Sequence, residues 1–160
     1  MQGSTDTGYY GKQPIEVTQV GDTYVASQEG PRNLNLNKCT TDIYECYYYA
    51  VFEPVTSDNK DEFGTGGNDE DKLTSPYYSA EKVWDFFNEN YGHASWDKNG
   101  AEIKIFGVED MANAFWTVWQ GKGETYYGYT TGYDLGSFDV VAHELTHGII
   151  QGTANLVYQD

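Results

Sequence analysis

The chain is poor in basic residues. Its 9 Lys and Arg stand against 25 Asp and Glu, a formal charge of −16 over 160 residues. So acidic a surface repels phosphate backbones, whose binding depends on clustered Lys and Arg, and nucleic acid is excluded as a partner. The chain also lacks any run of about 18 apolar residues, so no membrane-spanning helix is expected. Only two cysteines occur, Cys39 and Cys46, and neither lies in a CxxC or zinc-knuckle pattern. A short strand-loop-strand would close them into a bridge, and two free thiols are the alternative. The acidic, Tyr- and Gly-rich composition tilts the choice toward the bridge and an oxidising, extracellular compartment. Met1 is followed by Gln-Gly-Ser-Thr, not by a basic and then apolar leader, so an exported protein with this start would be a processed or recombinant form. There is no internal repeat or low-complexity tract. Aromatic residues, by contrast, are plentiful: 15 Tyr, 7 Phe and 4 Trp supply apolar surface that acidic disordered tails lack. The length suits a single domain, residues 1–160, with a real core.

The first third reads as β. In residues 14–28 apolar positions alternate around Gly21-Asp22, which predicts a hairpin with a tight turn. Residues 33–37 alternate Leu34 and Leu36 with Asn, and residues 46–52 form an aromatic, β-favouring run. Residues 57–75 hold acids and glycines without an apolar period and read as a loop. Ser75-Pro76 then offers an N-cap followed by a first-turn proline, and Gly92 a stop, for a helix whose stripe is Ala80, Val83, Trp84, Phe87 and Tyr91. Ile103, Ile105 and Val108 resume a strand pattern, and residues 113–118 form another short apolar run. Residues 121–136 predict a twisted strand or long loop. His93 belongs to no motif and is expected on a surface loop. Asp69, Glu70 and Asp71 read as a solvated charge run in preference to a calcium site, since no regular ligand ladder is present.

The last element opens at Ser137. Phe138, Val141, Ala142, Leu145 and Ile149 fall on one helical stripe, while His143 and His147 lie roughly 140° and 180° round from Phe138. One face packs and the opposite face presents histidines. His143-Glu144-Leu145-Thr146-His147 is an HExxH, and residues four apart on a helix sit one above the other, so both imidazoles can reach a single ion. Glu144 lies about 100° round from His143, placed to act as a base on a water and badly placed as a third ligand. Zinc at such a site lowers the pKa of bound water toward 7 and polarises a carbonyl. Chance alone would give this composition an HExxH with a probability on the order of 0.4 per cent, before a helix is required.

Phe138-Asp-Val-Val-Ala-His-Glu-Leu-Thr-His147 resembles the active-site helix of the thermolysin-like neutral metalloproteases. Asn113-Ala114-Phe115-Trp116 is similar to that family's substrate-binding edge strand, and Asn155-Leu-Val-Tyr-Gln159 to its segment after the helix. The resemblance is strong over residues 76–160 and general before that. It implies a zincin N-terminal lobe: an α+β fold with a twisted, mainly antiparallel sheet and the HExxH helix packed beneath it. It further implies His143 and His147 as zinc ligands, Glu144 as general base and Tyr158 as donor to the developing oxyanion. Asn113, Phe115 and the backbone of Ala114 and Trp116 would hold a peptide or protein substrate, and Val140 would line the pocket for the residue after the scissile bond. Asp139 matches a calcium ligand of the family, although a carboxylate at a helix start is explained equally well by the helix dipole. An ordinary packed tyrosine remains the alternative for Tyr158, and a plain aromatic strand for residues 113–116.

A catalytic zinc has three protein ligands and one open position. In the resembled family the third is a Glu about twenty residues beyond the second His, whereas this sequence ends at Asp160. The expectation is an N-terminal catalytic lobe without the C-terminal helical lobe, its metal shell completed by water, Asp160 or a second chain. The helix face around Ile150 would then be partly bare and would take a helical partner or a second copy. A metalloendopeptidase is the first expectation. A non-catalytic or weakly active lobe that needs its helical partner is the second, and a glycan- or peptide-binding β-domain, suggested by the tyrosines, is the third.

Overall fold

The computed structural model describes residues 1–154. A hairpin of β1 (Gln2–Thr7) and β2 (Gly11–Glu16) comes first. β3 (Thr18–Val20), β4 (Thr23–Val25) and β8 (Thr56–Ser57) form a small separate sheet. The seven-stranded main sheet contains β5 (Ser27–Gln28), β6 (Leu34–Cys39), β7 (Phe52–Pro54), β9 (Ile103–Glu109), β10 (Ala114–Trp119), β11 (Lys122–Thr130) and β12 (Tyr133–Asp134). The helices are α1 (Ile43–Tyr49), α2 (Glu70–Tyr91) and α3 (Phe138–Ala154).

The fold is α+β, and most strand pairings are antiparallel, as expected. The centre of the main sheet is nevertheless parallel, because its order is β10-β11-β9-β6-β5 and β9 runs parallel to both β11 and β6. A parallel strand is buried on both faces, which accounts for the dense apolar run Ile103, Ile105, Phe106 and Val108. One sheet face carries Leu34, Leu36, Ile103, Ile105, Tyr127 and Tyr129 against α2 and α3. The other carries Phe106, Val108 and Tyr126 with Cys46 of α1. At Gly107 a Cβ would stand 2.2 Å from Leu73 Cδ1, so the missing side chain is what lets α2 lie this close to β9.

Several expectations are corrected. The turn at Gly21-Asp22 is present between β3 and β4, but Pro14 belongs to β2 and Ser27 to the main sheet, so residues 14–28 are not one hairpin. Residues 46–52 are not a strand: Asp42 caps α1 by accepting the Glu45 N–H at 3.0 Å, and only Phe52 joins the sheet, opposite Cys39. The disulfide Cys39–Cys46 is formed, joining a strand to a helix instead of a second strand. α2 starts at Glu70, so Ser75 is no cap and Pro76 lies inside the helix. Its early turns are held from outside, by Thr5 Oγ1 donating to Thr74 Oγ1 at 2.8 Å and by Gly8 N–H donating to Ser75 Oγ at 2.7 Å. Asp69, in the acidic run, stays partly exposed as expected and also accepts from Lys72 Nζ at 3.0 Å and from Thr131 Oγ1 at 3.0 Å. Along the α2 stripe Ala80, Val83 and Trp84 are buried, whereas Tyr91 is exposed. His93 is buried, its Nδ1 2.7 Å from the Ser95 carbonyl oxygen, and not on the surface.

Arg32, in the loop before β6, donates to the buried Glu81 of α2 and reaches Asp85 at 3.3 Å. Glu81 also accepts the Glu16 N–H at 3.1 Å, so this carboxylate ties β2 and the loop to α2. Burial pushes its carboxyl up to about 7, against the lowering effect of Arg32. The folded state therefore holds the Glu81 proton more tightly than the unfolded chain does, and the stabilisation linked to that proton is lost as pH rises from the ordinary carboxylate value through about 7. Denaturant titrations should show stability falling over that window by up to about 3 kcal/mol, and Glu81→Gln should flatten the profile.

Candidate metal centre

α3 is held by its apolar stripe. Val141 and Leu145 are buried, and Phe138 and Ala142 pack against the same core. The first helical bond runs from Val141 N–H to the Ser137 carbonyl at 3.0 Å. With that face fixed, His143 and His147 turn outward together, ring centroids 4.6 Å apart and Nε2 to Nε2 3.0 Å. A tetrahedral zinc bound through both nitrogens separates them by about 3.3 Å, so the pair is already close to that spacing. Burial, and then the neighbouring His143, hold the His147 imidazole below its ordinary pKa, which favours the neutral form that ligates. Glu144 is only 7% exposed, and burial raises its carboxyl while His143 lowers it. Two imidazoles and the nearby carboxylate fit zinc as far as they go. Among the described residues no group of three or more His, Cys, Asp or Glu gathers to hold an ion.

The sequence pattern that defines the catalytic domain of thermolysin metallopeptidases matches residues 2–151. The chain belongs to this family. Among curated relatives of this thermolysin-type chain, the transglutaminase-activating metalloprotease of Streptomyces mobaraensis is 28% identical over 98% of the chain and 20% of its own length. Neutral protease NprE of Bacillus pumilus is 37% identical over 52% of the chain and 29% of its own length. The solved precursor of protealysin, a metalloproteinase from Serratia proteamaculans, superposes with a TM-score of 0.56 at 21% identity, covering 88% of the chain and 40% of that structure. At that identity it shows the fold alone. The thermolysin-type chain thus spans well under half the length of each of these relatives.

Beside the histidines lies an open cleft of about 380 Å³, lined by Asn113, Ala114, Leu135, Val140, His143 and Glu144. β10 ends the sheet and, among the described residues, pairs only with β11. Gly128 N–H donates to the Asn113 carbonyl at 3.0 Å, so Asn113 and Phe115 turn their backbone groups inward, and Ala114 and Trp116 turn theirs to the open edge. Asn113 Oδ1 accepts the Ala114 N–H at 2.9 Å. Phe115 stands apart from the cleft: its ring stacks on Tyr126 at 4.6 Å, on the opposite sheet face. Asp139 is exposed at the cleft and accepts from Ser137 Oγ, which with its neighbouring backbone N–H groups holds the carboxyl below the usual range. Tyr158 and Asp160 lie outside the described residues.

Sequence reasoning missed the contact between β10 and the end of α3. The Trp116 ring lies against Gly148, where a Cβ would meet it at 2.5 Å, and Trp116 Nε1 donates to Gln151 Oε1 at 3.0 Å. A glycine one residue past the motif, in a helix interior, was the available signal; Gln151 carried none. Trp116→Phe and Gln151→Ala should each cost about 1 kcal/mol, and the double variant less than their sum, in a denaturant double-mutant cycle.

Proposed function

We propose that the chain carries the base and two metal ligands of a secreted zinc metalloendopeptidase. The observation that supports this most is the convergence of His143 and His147 to 3.0 Å, with His143 and the buried Glu144 lining a cleft beside an open strand edge. Bound zinc supplies a Lewis acid that polarises a carbonyl and brings the pKa of water toward 7. Glu144, made more basic by burial, takes a proton from the attacking water and returns it to the departing amine. An extended peptide adds to β10 through the outward Ala114 carbonyl and the Trp116 backbone groups, with Asn113, whose Oδ1 holds the Ala114 N–H, at its end and Val140 facing the residue after the scissile bond. The oxyanion role of Tyr158 rests on the resemblance alone. Calcium at Asp139 has no gathered carboxylates to support it among the described residues.

The third zinc donor comes, in this proposal, from outside the described residues. A second reading is a lobe that binds metal weakly and works only when a helical partner or a second copy, covering the α3 face around Ile150, completes the shell. Secretion is supported by the disulfide and by relatives such as the extracellular elastase of Staphylococcus epidermidis, 34% identical over 51% of the chain and 18% of its own length. No helix among the described residues is long and apolar enough to cross a membrane.

Elemental analysis combined with cleavage of a peptide carrying an apolar residue after the scissile bond tests the proposal. Wild type should contain zinc and cleave. Glu144→Gln should keep the zinc and lose at least about 100-fold in kcat, and His143→Ala should lose the zinc. Zinc without cleavage in the wild type selects the second reading, and cleavage unchanged by Glu144→Gln removes the mechanism.

A further inference from the structure

Half of the large apolar side chains that the described residues expose sit in one patch, on the sheet face opposite α2 and α3. α1 contributes Tyr44, Tyr47, Tyr48 and Tyr49, and the end of β10 contributes Trp119, with Tyr48 67% and Trp119 65% exposed. Between these two elements is a cleft of about 570 Å³, lined by Tyr48, Tyr49 and Trp119 together with Lys104, Gln120 and Glu124. That size falls within the range of small-molecule sites.

The patch is built rigidly. Cys46 bonds α1 to the end of β6, Asp42 caps the helix start, and Ala50 closes its end with a left-handed backbone and an N–H bonded to the Glu45 carbonyl. Tyr47 packs edge-on against Phe115 and Tyr126 at 5.9 and 5.8 Å, fixing the platform to the sheet. On the other side, Gln120 and Gly121 both have positive φ, at 50° and 76°, in the two-residue turn that joins Trp119 to its partner Lys122. A backbone held in this way loses little freedom when a ligand settles on the side chains it carries.

The chemistry of the lining selects among ligands. No Leu, Ile, Val or Met is present, so the cleft lacks the aliphatic anchors that usually accompany aromatics in a subunit core. Each tyrosine couples an apolar ring face to a hydroxyl, and an ammonium, an amide and a carboxylate stand among them. Flat apolar faces edged by donors and acceptors match a hexose ring, whose C–H groups lie on its faces and whose hydroxyls lie on its rim. The charge of −16 disfavours a polyanionic sugar.

We propose that the α1 and β10–β11 turn surface is a binding site for a neutral hexose oligosaccharide. It lies across the sheet from His143 and His147, so a bound glycan leaves the metal cleft open, and the proposal stands independently of the protease reading.

The test is titration of the protein with cellohexaose and, separately, with maltohexaose, followed by tryptophan emission and by amide chemical shifts; binding of either supports the proposal. Saturable binding is expected, with shifts confined to α1 and the β10–β11 turn, and EDTA should leave it unchanged. Trp119→Ala and Tyr48→Ala, both at exposed positions and checked for folding by circular dichroism, should each weaken binding at least tenfold. No binding at about 10 mM ligand overturns the proposal, as does a folded Trp119→Ala variant that binds as tightly as wild type. A Trp119→Ala change that converts a dimer to a monomer without affecting the sugar assigns the patch to a second copy and also overturns it.

Discussion

Rotation of α3 about its own axis is the constraint on which the candidate metal centre depends. Val141 and Leu145 are buried against the sheet and α2, and once they are seated no other rotation of the helix is open. That seating puts both imidazoles on the outer face of the helix, His143 and Glu144 lining the cleft and His147 one turn on. Apolar packing sets the geometry, and the polar groups inherit it. An α3 turned by one residue would bury a histidine and expose a core side chain, at a cost of several kcal/mol.

The second wall of the cleft is positioned by a different route. β10 is the outer strand of a hairpin with β11, and β11 pairs in parallel with β9, so the open edge is set by the order of three consecutive strands within residues 103–130. Trp116 then reaches across to α3, meeting Gly148 and Gln151, so strand edge and helix are braced directly as well as through the core. The opposite sheet face is closed by α1, tied down at Cys46.

What was legible in the sequence was what periodicity and spacing encode. α3, with its apolar stripe and histidines on opposite sides, follows from the 3.6-residue repeat, and β9 from its β-branched run. Features decided by distant partners were not legible. The tyrosines of α1 favour a strand, and the Asp42 cap and the bridge to Cys39 override them. Ser75-Pro76 has the local form of a helix start, yet Leu73 docking at Gly107 and the Thr5–Thr74 hydrogen bond extend α2 by more than a turn before it. The parallel centre of the sheet is a matter of strand order, on which no single segment bears. At the site, the His pair and Glu144 could be read from four-residue spacing, whereas Leu135 and Gln151 come from elsewhere and carry no motif.

The outward-facing amides and carbonyls of β10 form a rail that recognises backbone and is indifferent to side chains. Any extended stretch of polypeptide satisfies it equally, including an unravelled segment of a neighbouring molecule. Discrimination must therefore arise in the pockets flanking the rail, and crowding or partial denaturation would fill it with the protein's own strands.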